Sequence, residues 1–355
     1  MLLLDLNHPS DFHFFHGFME KCRRHPSLKL LITARNRQYL PELLDHYGYK
    51  YVLKTGRKRT LVGKAINLIG EVLWIIRLAR ILKIKAFISF TSPYSAIAGY
   101  LLNKPVITFD DTENDKLLHM VYPRFTSLII TPICFEKEFK GKHVRFPGTK
   151  ESSHLEPDKF TPSKAVVQKY LENPEEPYIL LRFVEHIATH DLYQKGIQTK
   201  MKQKMVRELQ PFGRVFIVSE TKLPEALMPY ALDCEPQDMH HLMAYANFFM
   251  GESTTMAAEA AVLGTPSIVI EEKSLGYINE LNKKTGLVRW YKPAQEEEAL
   301  AAAIGYLESG KGFSGTQYSE STDIGGFLVW LFEDFPERFE ELKRLQKVPE
   351  RFCCV

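Results

Sequence analysis

Short apolar runs alternate with longer amphipathic stretches along most of the chain, the pattern of parallel strands buried on both faces and joined by covering helices. In the first half the runs predict strands over 2–6, 28–33, 49–53, 86–90, 106–109, 127–131 and 143–146. Helical periodicity between them predicts helices over 12–24, 37–47, 60–84 and 94–102, the first capped by Ser10 or Asp11. A second series begins at Tyr178-Ile179-Leu180-Leu181-Arg182-Phe183, with further strands over 214–219, 247–250, 267–270 and 287–289 and a helix over 294–307. The chain thus divides into two α/β units, an N-terminal one over 1–150 and a C-terminal one over 177–325. Residues 151–176, rich in Pro, Ser, Glu and Lys, read as a linker with one helical piece near 164–171. A last helix over 327–345 comes after a Gly-rich break and is expected to return to the first unit.

Composition narrows the class. At 355 residues and 45% hydrophobic, the chain is long and apolar enough for two cores. A net charge of +3, without a Lys/Arg tail or an aromatic-basic module, argues against a nucleic-acid partner. Five scattered cysteines form no disulfide framework and no metal-ligand spacing, which suits a reducing cytoplasm. The Met-Leu-Leu-Leu start is too short for a signal peptide and reads as the first strand.

In open parallel sheets ligands collect at the carboxyl ends of the strands. His8, His13 and Arg35 fall there in the first unit, as do Asp110, Asp111, Thr112 and Glu113. Those acids offer a general base; as a metal site with His119 their spacing is poor, and no metal is expected. In the second unit Arg182 ends the first strand and is followed by Glu185 to Asp191, a charged loop containing His190. A guanidinium there suits a diphosphate, although a charged loop is equally at home in solvent.

The densest signal is Gly251-Glu252-Ser253-Thr254-Thr255-Met256-Ala257-Ala258-Glu259-Ala260-Ala261-Val262-Leu263-Gly264-Thr265-Pro266, between two apolar runs. Ser253 or Thr254 caps a helix that Gly264 and Pro266 end, and its first amides point at one spot, which favours a phosphate. Such strand-turn-helix units also occur where nothing binds. Glu259 adds a carboxylate about a turn and a half into the helix, suited to a ribose diol.

These residues resemble the nucleotide-binding motif of the GT-B glycosyltransferases and UDP-N-acetylglucosamine 2-epimerases. The segment from Asp238 to Asn247 extends the likeness to the lipid-linked N-acetylglucosaminyl transferase of cell-wall synthesis. Along most of its length the chain is similar to the family called domain of unknown function 354, through Asp5-Leu6-Asn7-His8-Pro9, Ile32-Thr33-Ala34-Arg35, Phe109-Asp110-Asp111-Thr112-Glu113 and the 256–266 segment. The resemblance implies a GT-B-like α/β fold: two facing Rossmann-type domains with parallel sheets and an interdomain cleft.

It further implies a nucleotide diphosphate sugar as substrate, with uridine the expected base, no cofactor, and a glycan or lipid-linked acceptor in cell-envelope synthesis. Arg182, Gly251, Ser253, Thr254, Thr255, Met256 and Glu259 would bind the nucleotide sugar. His13 or Asp111 would take a proton from the acceptor, and His190 matches a histidine that the epimerases carry in that loop. Epimerases also carry an acid just after the strand that corresponds to 86–90. This chain has Thr91-Ser92-Pro93 there, which favours transfer over epimerisation. A sugar-nucleotide-binding protein without turnover is the third reading.

Residues 54–85 combine Lys54, Arg57, Lys58, Arg59, Lys64, Arg77, Arg80, Lys83 and Lys85 with apolar faces and one acid, Glu71. No uncharged window reaches the length of a bilayer span. The stretch reads either as a helix packed on the sheet or as a peripheral attachment to the inner, anionic face of a membrane.

Overall fold

The computed structural model describes residues 1–54, 61–173, 175–184, 196–219, 222–313 and 317–354, with 61–66 as backbone alone. The chain forms two compact units, one of Met1–His154 with Glu320–Val355 and one of Leu155–Ser319.

The first unit runs β1 (Leu2–Leu6), α1 (Pro9–Arg24), β2 (Leu30–Arg35), α2 (Leu40–His46), β3 (Tyr51–Lys54), α3 (Leu61–Ile81), β4 (Ala86–Phe90), α4 (Pro93–Leu101), β5 (Val106–Phe109), α5 (Lys116–Phe125), β6 (Leu128–Pro132) and β7 (His143–Phe146). Its seven strands are all parallel, in the order β3-β2-β1-β4-β5-β6-β7. Leu4 of β1 lies opposite Ile32 on one side and Ile88 on the other. The order reverses at the β1/β4 boundary, where an open α/β sheet parts its flanking loops and makes room for a ligand.

Both faces of this sheet are buried. Phe14, Phe15 and Phe18 of α1 pack on one face with Leu6, Ile88 and Phe109. Val72, Ile75 and Ala79 of α3 and Tyr122 of α5 cover the other, over Leu3, Phe87 and Ile129.

Two local readings are corrected. The first helix begins at Pro9, and neither Ser10 nor Asp11 is its cap: His8 is, in extended backbone with φ −145°. Ser10 N donates to His8 Nδ1 (3.2 Å), and Asp11 Oδ2 accepts from His8 N (3.1 Å) and Asn7 N (2.9 Å), a capping box with imidazole in place of hydroxyl. The helix expected over 327–345 is two, α13 (Ile324–Glu333) and α14 (Glu337–Leu345), divided before Pro336, which lacks the N–H a continuous helix needs.

Phe327, Leu328, Leu331, Phe339 and Leu342 of these helices belong to the same core as α1. A Cβ on Gly325 would fall 2.8 Å from the Gly17 carbonyl carbon and 2.9 Å from Phe18 N, so α13 meets α1 where only glycine fits. Ser321–Thr322 (β13) pairs antiparallel with Cys353–Cys354 (β14).

The second unit contains α7 (Lys164–Val167), β8 (Tyr178–Phe183), α8 (Thr199–Leu209), β9 (Arg214–Ser219), α9 (Met239–Tyr245), β10 (Phe248–Gly251), α10 (Thr254–Val262), β11 (Ser267–Ile270), α11 (Gly276–Thr285), β12 (Val288–Tyr291) and α12 (Glu296–Ser309); α6 (Ser152–Leu155) ends where it begins. Its five parallel strands lie in the order β12-β11-β10-β8-β9. Among the described residues no helix is long and apolar enough to cross a membrane.

His143, at the start of β7, ties acid stability to this core. Its Nδ1 accepts from Phe139 N (3.3 Å), so the neutral ring donates through Nε2 to Thr131 Oγ1 (2.8 Å). Burial first, and Arg145 second, lower its pKa from 6.5 to about 4. Between those values the unfolded chain takes up a proton that the folded chain refuses. Stability is therefore complete above about pH 6.5 and is lost as pH falls toward 4, by about 3 kcal/mol. Urea unfolding across this range should show His143→Gln with a shallower acid slope than the native protein; identical slopes would discount His143.

Candidate functional site

In the second unit the sheet itself positions the phosphate-type features. Gly251 of β10 lies in register with Arg182 of β8. A Cβ on Gly251 would collide with the Arg182 carbonyl oxygen and lie 2.8 Å from Arg182 N and Cβ, so the missing side chain lets the two backbones close. Arg182 is buried. Ser253, extended with φ −100°, caps α10: its Oγ accepts from Met256 N (3.3 Å), and Ala257 N donates to its carbonyl (3.1 Å). Ser253, Thr254, Thr255 and Met256 are half-buried at this helix start.

The rest of α10 is held hard against its surroundings. Ala257, Ala258, Ala260 and Ala261 are fully buried, Ser267 Oγ donates to Ala257 O (2.8 Å), and Thr265 Oγ1 donates to Met243 O (2.8 Å). A helix start that must hold an anion benefits from such anchoring, because no ordering cost remains at binding. Glu259, expected to face a ribose, is 5% exposed, and its Oε1 lies 3.3 Å from His240 Nε2 of α9. His240 therefore joins the set, a residue that the sequence presents only as one of two adjacent histidines.

Glu252 is a second addition. Its Oε2 accepts from Val184 N (3.2 Å) and its Oε1 from Ile197 N (2.7 Å), while its own N donates to Arg182 O (3.0 Å). One buried carboxylate thus binds the backbone on both sides of the segment that contains His190. His190 itself lies outside the described residues.

In the first unit the carboxyl ends of the strands carry three buried polar clusters. At β1, Asp5 accepts from Lys54 Nζ (2.5 Å), Thr33 Oγ1 (2.8 Å), Ser92 Oγ (2.6 Å) and Ser95 Oγ (2.7 Å). Burial alone would raise this carboxyl, but the Lys54 ammonium and the two serine hydroxyls hold it at about 2. Beside it Arg35 pairs with Glu71 at 2.7 Å. Every charge in this cluster has a partner of opposite sign, and its evident work is to fix the β1, β2 and β3 ends.

At β5, Asp110 Oδ2 accepts from Tyr122 OH (2.5 Å) and lies 2.7 Å from His119 Nε2, whose Nδ1 accepts from Lys137 Nζ (2.6 Å). Asp110 and His119 are thereby bound to each other. Glu113 Oε1 accepts from Glu136 N (3.3 Å). Of the acids expected to serve as base, this leaves Asp111 in a different setting.

Asp111 belongs to the third cluster, around Lys150. The Lys150 ammonium is buried, 3.0 Å from Ser10 Oγ, 3.5 Å from Asp11 Oδ1 and 3.7 Å from the centre of the Phe90 ring. Burial opposes its charge, yet Asp111, Asp11 and Glu151 hold it protonated above its ordinary range. Asp11 and Asp111 are both raised, because burial outweighs what Lys150 and their hydrogen bonds return. One lysine thus sits among buried carboxylates whose proton affinity is increased, an arrangement that can exchange a proton. His13, on α1 two residues beyond Asp11, stacks on His154, with centroids 5.7 Å apart and planes within 17°. His154 Nδ1 donates to Lys150 O (3.1 Å).

Two parallel-stranded α/β units, each with polar side chains gathered at its strand ends, give the protein a GT-B-like fold. Its solved neighbours include UDP-GlcNAc 2-epimerases and GT-B glycosyltransferases. The chain belongs to the family described as "Protein of unknown function (DUF354)", which matches residues 2–322. An uncharacterized protein of Methanocaldococcus jannaschii, MJ0665, is 23% identical over 339 residues, 90% of this chain and 95% of that one. The UDP-GlcNAc 2-epimerase of Neisseria meningitidis bound to UDP-GlcNAc has a TM-score of 0.61 at 11% identity, over 88% of this chain and 92% of its own. Spinosyn rhamnosyltransferase SpnG complexed with thymidine diphosphate has a TM-score of 0.54 at 13% identity, over 88% of this chain and 93% of its own.

Proposed function

We propose that the protein is a glycosyltransferase that takes its sugar from a nucleotide diphosphate, by preference a uridine one, and passes it to a hydroxyl of a glycan or lipid-linked acceptor. The observation that carries the nucleotide part is the Gly251 platform: a buried arginine, Arg182, in register with the glycine that leads into a serine-capped, rigidly packed helix start. Arg182 and the amides of the Ser253-Thr254-Thr255 turn, continued by Met256, would neutralise the charge that grows on the diphosphate as it leaves. That role requires no metal and no cofactor. Glu259 would accept from the ribose hydroxyls, exchanging its His240 contact for them. In the first unit Asp111 or His13 would take the acceptor proton, with Lys150 setting the charge balance around Asp111.

The turn after β4 favours transfer over epimerisation. Just after the strand where an epimerase carries an acid, this chain has Thr91-Ser92-Pro93, and Ser92 caps α4 and spends its hydroxyl on Asp5. None of these three side chains is a carboxylate that could remove a proton from a sugar carbon.

The test is incubation of the purified protein with UDP- and thymidine-diphosphate-linked sugars, then mass spectrometry and sugar analysis. Release of nucleotide diphosphate only when an acceptor extract is added supports transfer. A new epimer formed from the nucleotide sugar alone would replace this reading with epimerisation, and binding without any turnover would leave a sensor.

A further inference from the structure

We propose that the outward face of α3, α4 and α5 docks on an anionic lipid bilayer. These helices cover one face of the first unit's sheet, and their core sides are accounted for by Val72, Ile75, Ala79, Ala96, Ala98 and Tyr122. The opposite sides are unusual for a solvated surface.

On α3 the outward stripe is Ile69, Leu73, Arg77, Arg80 and Ile81, and its three apolar members are each at least 60% exposed. On α5 it is Lys116, Leu117, Met120 and Arg124, with Leu117 and Met120 exposed to the same degree. Between them α4 ends in exposed Tyr100 and Leu101. The spacing of three and four residues makes each stripe a single helical edge. Large apolar side chains thus alternate with cations on two helices separated by a third.

The charge is one-sided. Glu71 is the only acid in the three helices, and it is buried against Arg35. Asp115 spends its carboxylate on capping α5 at Leu118 N (3.0 Å), and Glu113 is buried. The turns after α3 and α4 add Lys83 and Lys104, both exposed. Glu136 and Glu138 lie on the loop after β6, outside the helices.

A surface with interleaved apolar and basic side chains and, among the described residues of its three helices, no exposed acid is matched by a plane that offers hydrocarbon at one depth and negative charge just above it, which is an anionic bilayer. A second copy of the same face would bring like charges together, against the self-complementarity that a two-fold contact needs. The proposal is independent of the reaction catalysed, since it concerns adsorption of the protein with no nucleotide present.

The experiment is co-sedimentation of the full-length protein with vesicles of phosphatidylcholine, with and without phosphatidylglycerol, at low and high salt. Binding is expected only to the anionic vesicles, and is expected to weaken with salt. Each cation near such a surface is worth about a fivefold change in partition, so Arg77→Ser with Arg80→Ser should lower binding roughly 25-fold. Leu73→Ser with Met120→Ser, at exposed positions that carry little of the fold, should lower binding while leaving its salt dependence in place. Circular dichroism checks that both variants are folded. Absence of binding to anionic vesicles at low salt, equal binding to neutral ones, or variants that bind like the native protein would each overturn the proposal. So would a light-scattering dimer that the Leu73/Met120 variant abolishes, because the face would then be a contact between copies.

Discussion

Lys150→Met should lower the stability of the first unit by about 3–5 kcal/mol, the usual cost of removing one partner from a buried ion pair and leaving the other uncompensated. Here two carboxylates lose their counter-charge: Asp11, whose Oδ1 is 3.5 Å from the ammonium, and Asp111, whose main opposing influence against burial is Lys150. The pH dependence carries the signature. In the native protein both carboxyls already sit above their ordinary range because of burial, and removal of Lys150 pushes them further. A carboxyl raised in the folded state stabilises while protonated, below its unfolded value, and that contribution is lost as pH rises through its folded value. The variant's deficit should therefore be smallest in acid and grow toward neutral pH. Urea unfolding of Lys150→Met and of Lys150→Met/Asp111→Asn measures this. The second substitution should return part of the loss at neutral pH, since it removes the stranded charge. A deficit of the same size at every pH, with no recovery, would mean that Lys150 acts only by packing against Phe90.

The same lysine shows where sequence reading stops. Strands such as Ala86–Phe90, Val106–Phe109, His143–Phe146, Tyr178–Phe183, Arg214–Ser219 and Ser267–Ile270 coincide with the expected runs, because central strands of a parallel sheet covered by helices on both faces read as short, mostly apolar runs between turn signals. Helix α5 escaped the periodicity because Pro123 interrupts it, although Asp115 at its start is an ordinary cap. Lys150 lies at the edge of a stretch whose Pro, Ser, Glu and Lys content reads as a linker. Only the return of the chain to the start of α1 sets it against Asp11, 139 residues away in sequence. Glu252 is similar: it is visible inside the 251–266 segment, but its two backbone donors, Val184 and Ile197, are 68 and 55 residues distant. The Ser253 cap is legible because a cap is a local demand on residue type, whereas the close approach of Gly251 to Arg182 exists only once β8 and β10 pair. The covered state of Glu259 is not legible either, since its partner His240 is a feature of packing between α9 and α10.

The second large effect is expected at Arg182. If it grips a diphosphate, Arg182→Ala removes charge-assisted hydrogen bonds worth about 1.5–3 kcal/mol each, so a bidentate contact corresponds to a loss of affinity of roughly a hundredfold or more. Arg182→Lys should recover little, because a point charge on a flexible stem does not reproduce the planar fork. Isothermal titration with UDP, UMP and uridine separates this from a general loosening. The loss should be large for UDP, smaller for UMP and near zero for uridine, since the nucleoside would be held by other groups, Glu259 among them. Ser253→Ala provides the comparison: loss of its bond to Met256 N should cost about 1 kcal/mol of stability and reduce UDP affinity only modestly, because the backbone amides of the turn remain. Arg182 is in register with Gly251 and its carbonyl accepts from Glu252 N, so the backbone there is held whichever side chain it carries. An Arg182→Ala protein that stays folded and binds UDP as tightly as the native one would remove the guanidinium from the nucleotide site and leave α10 alone to account for it.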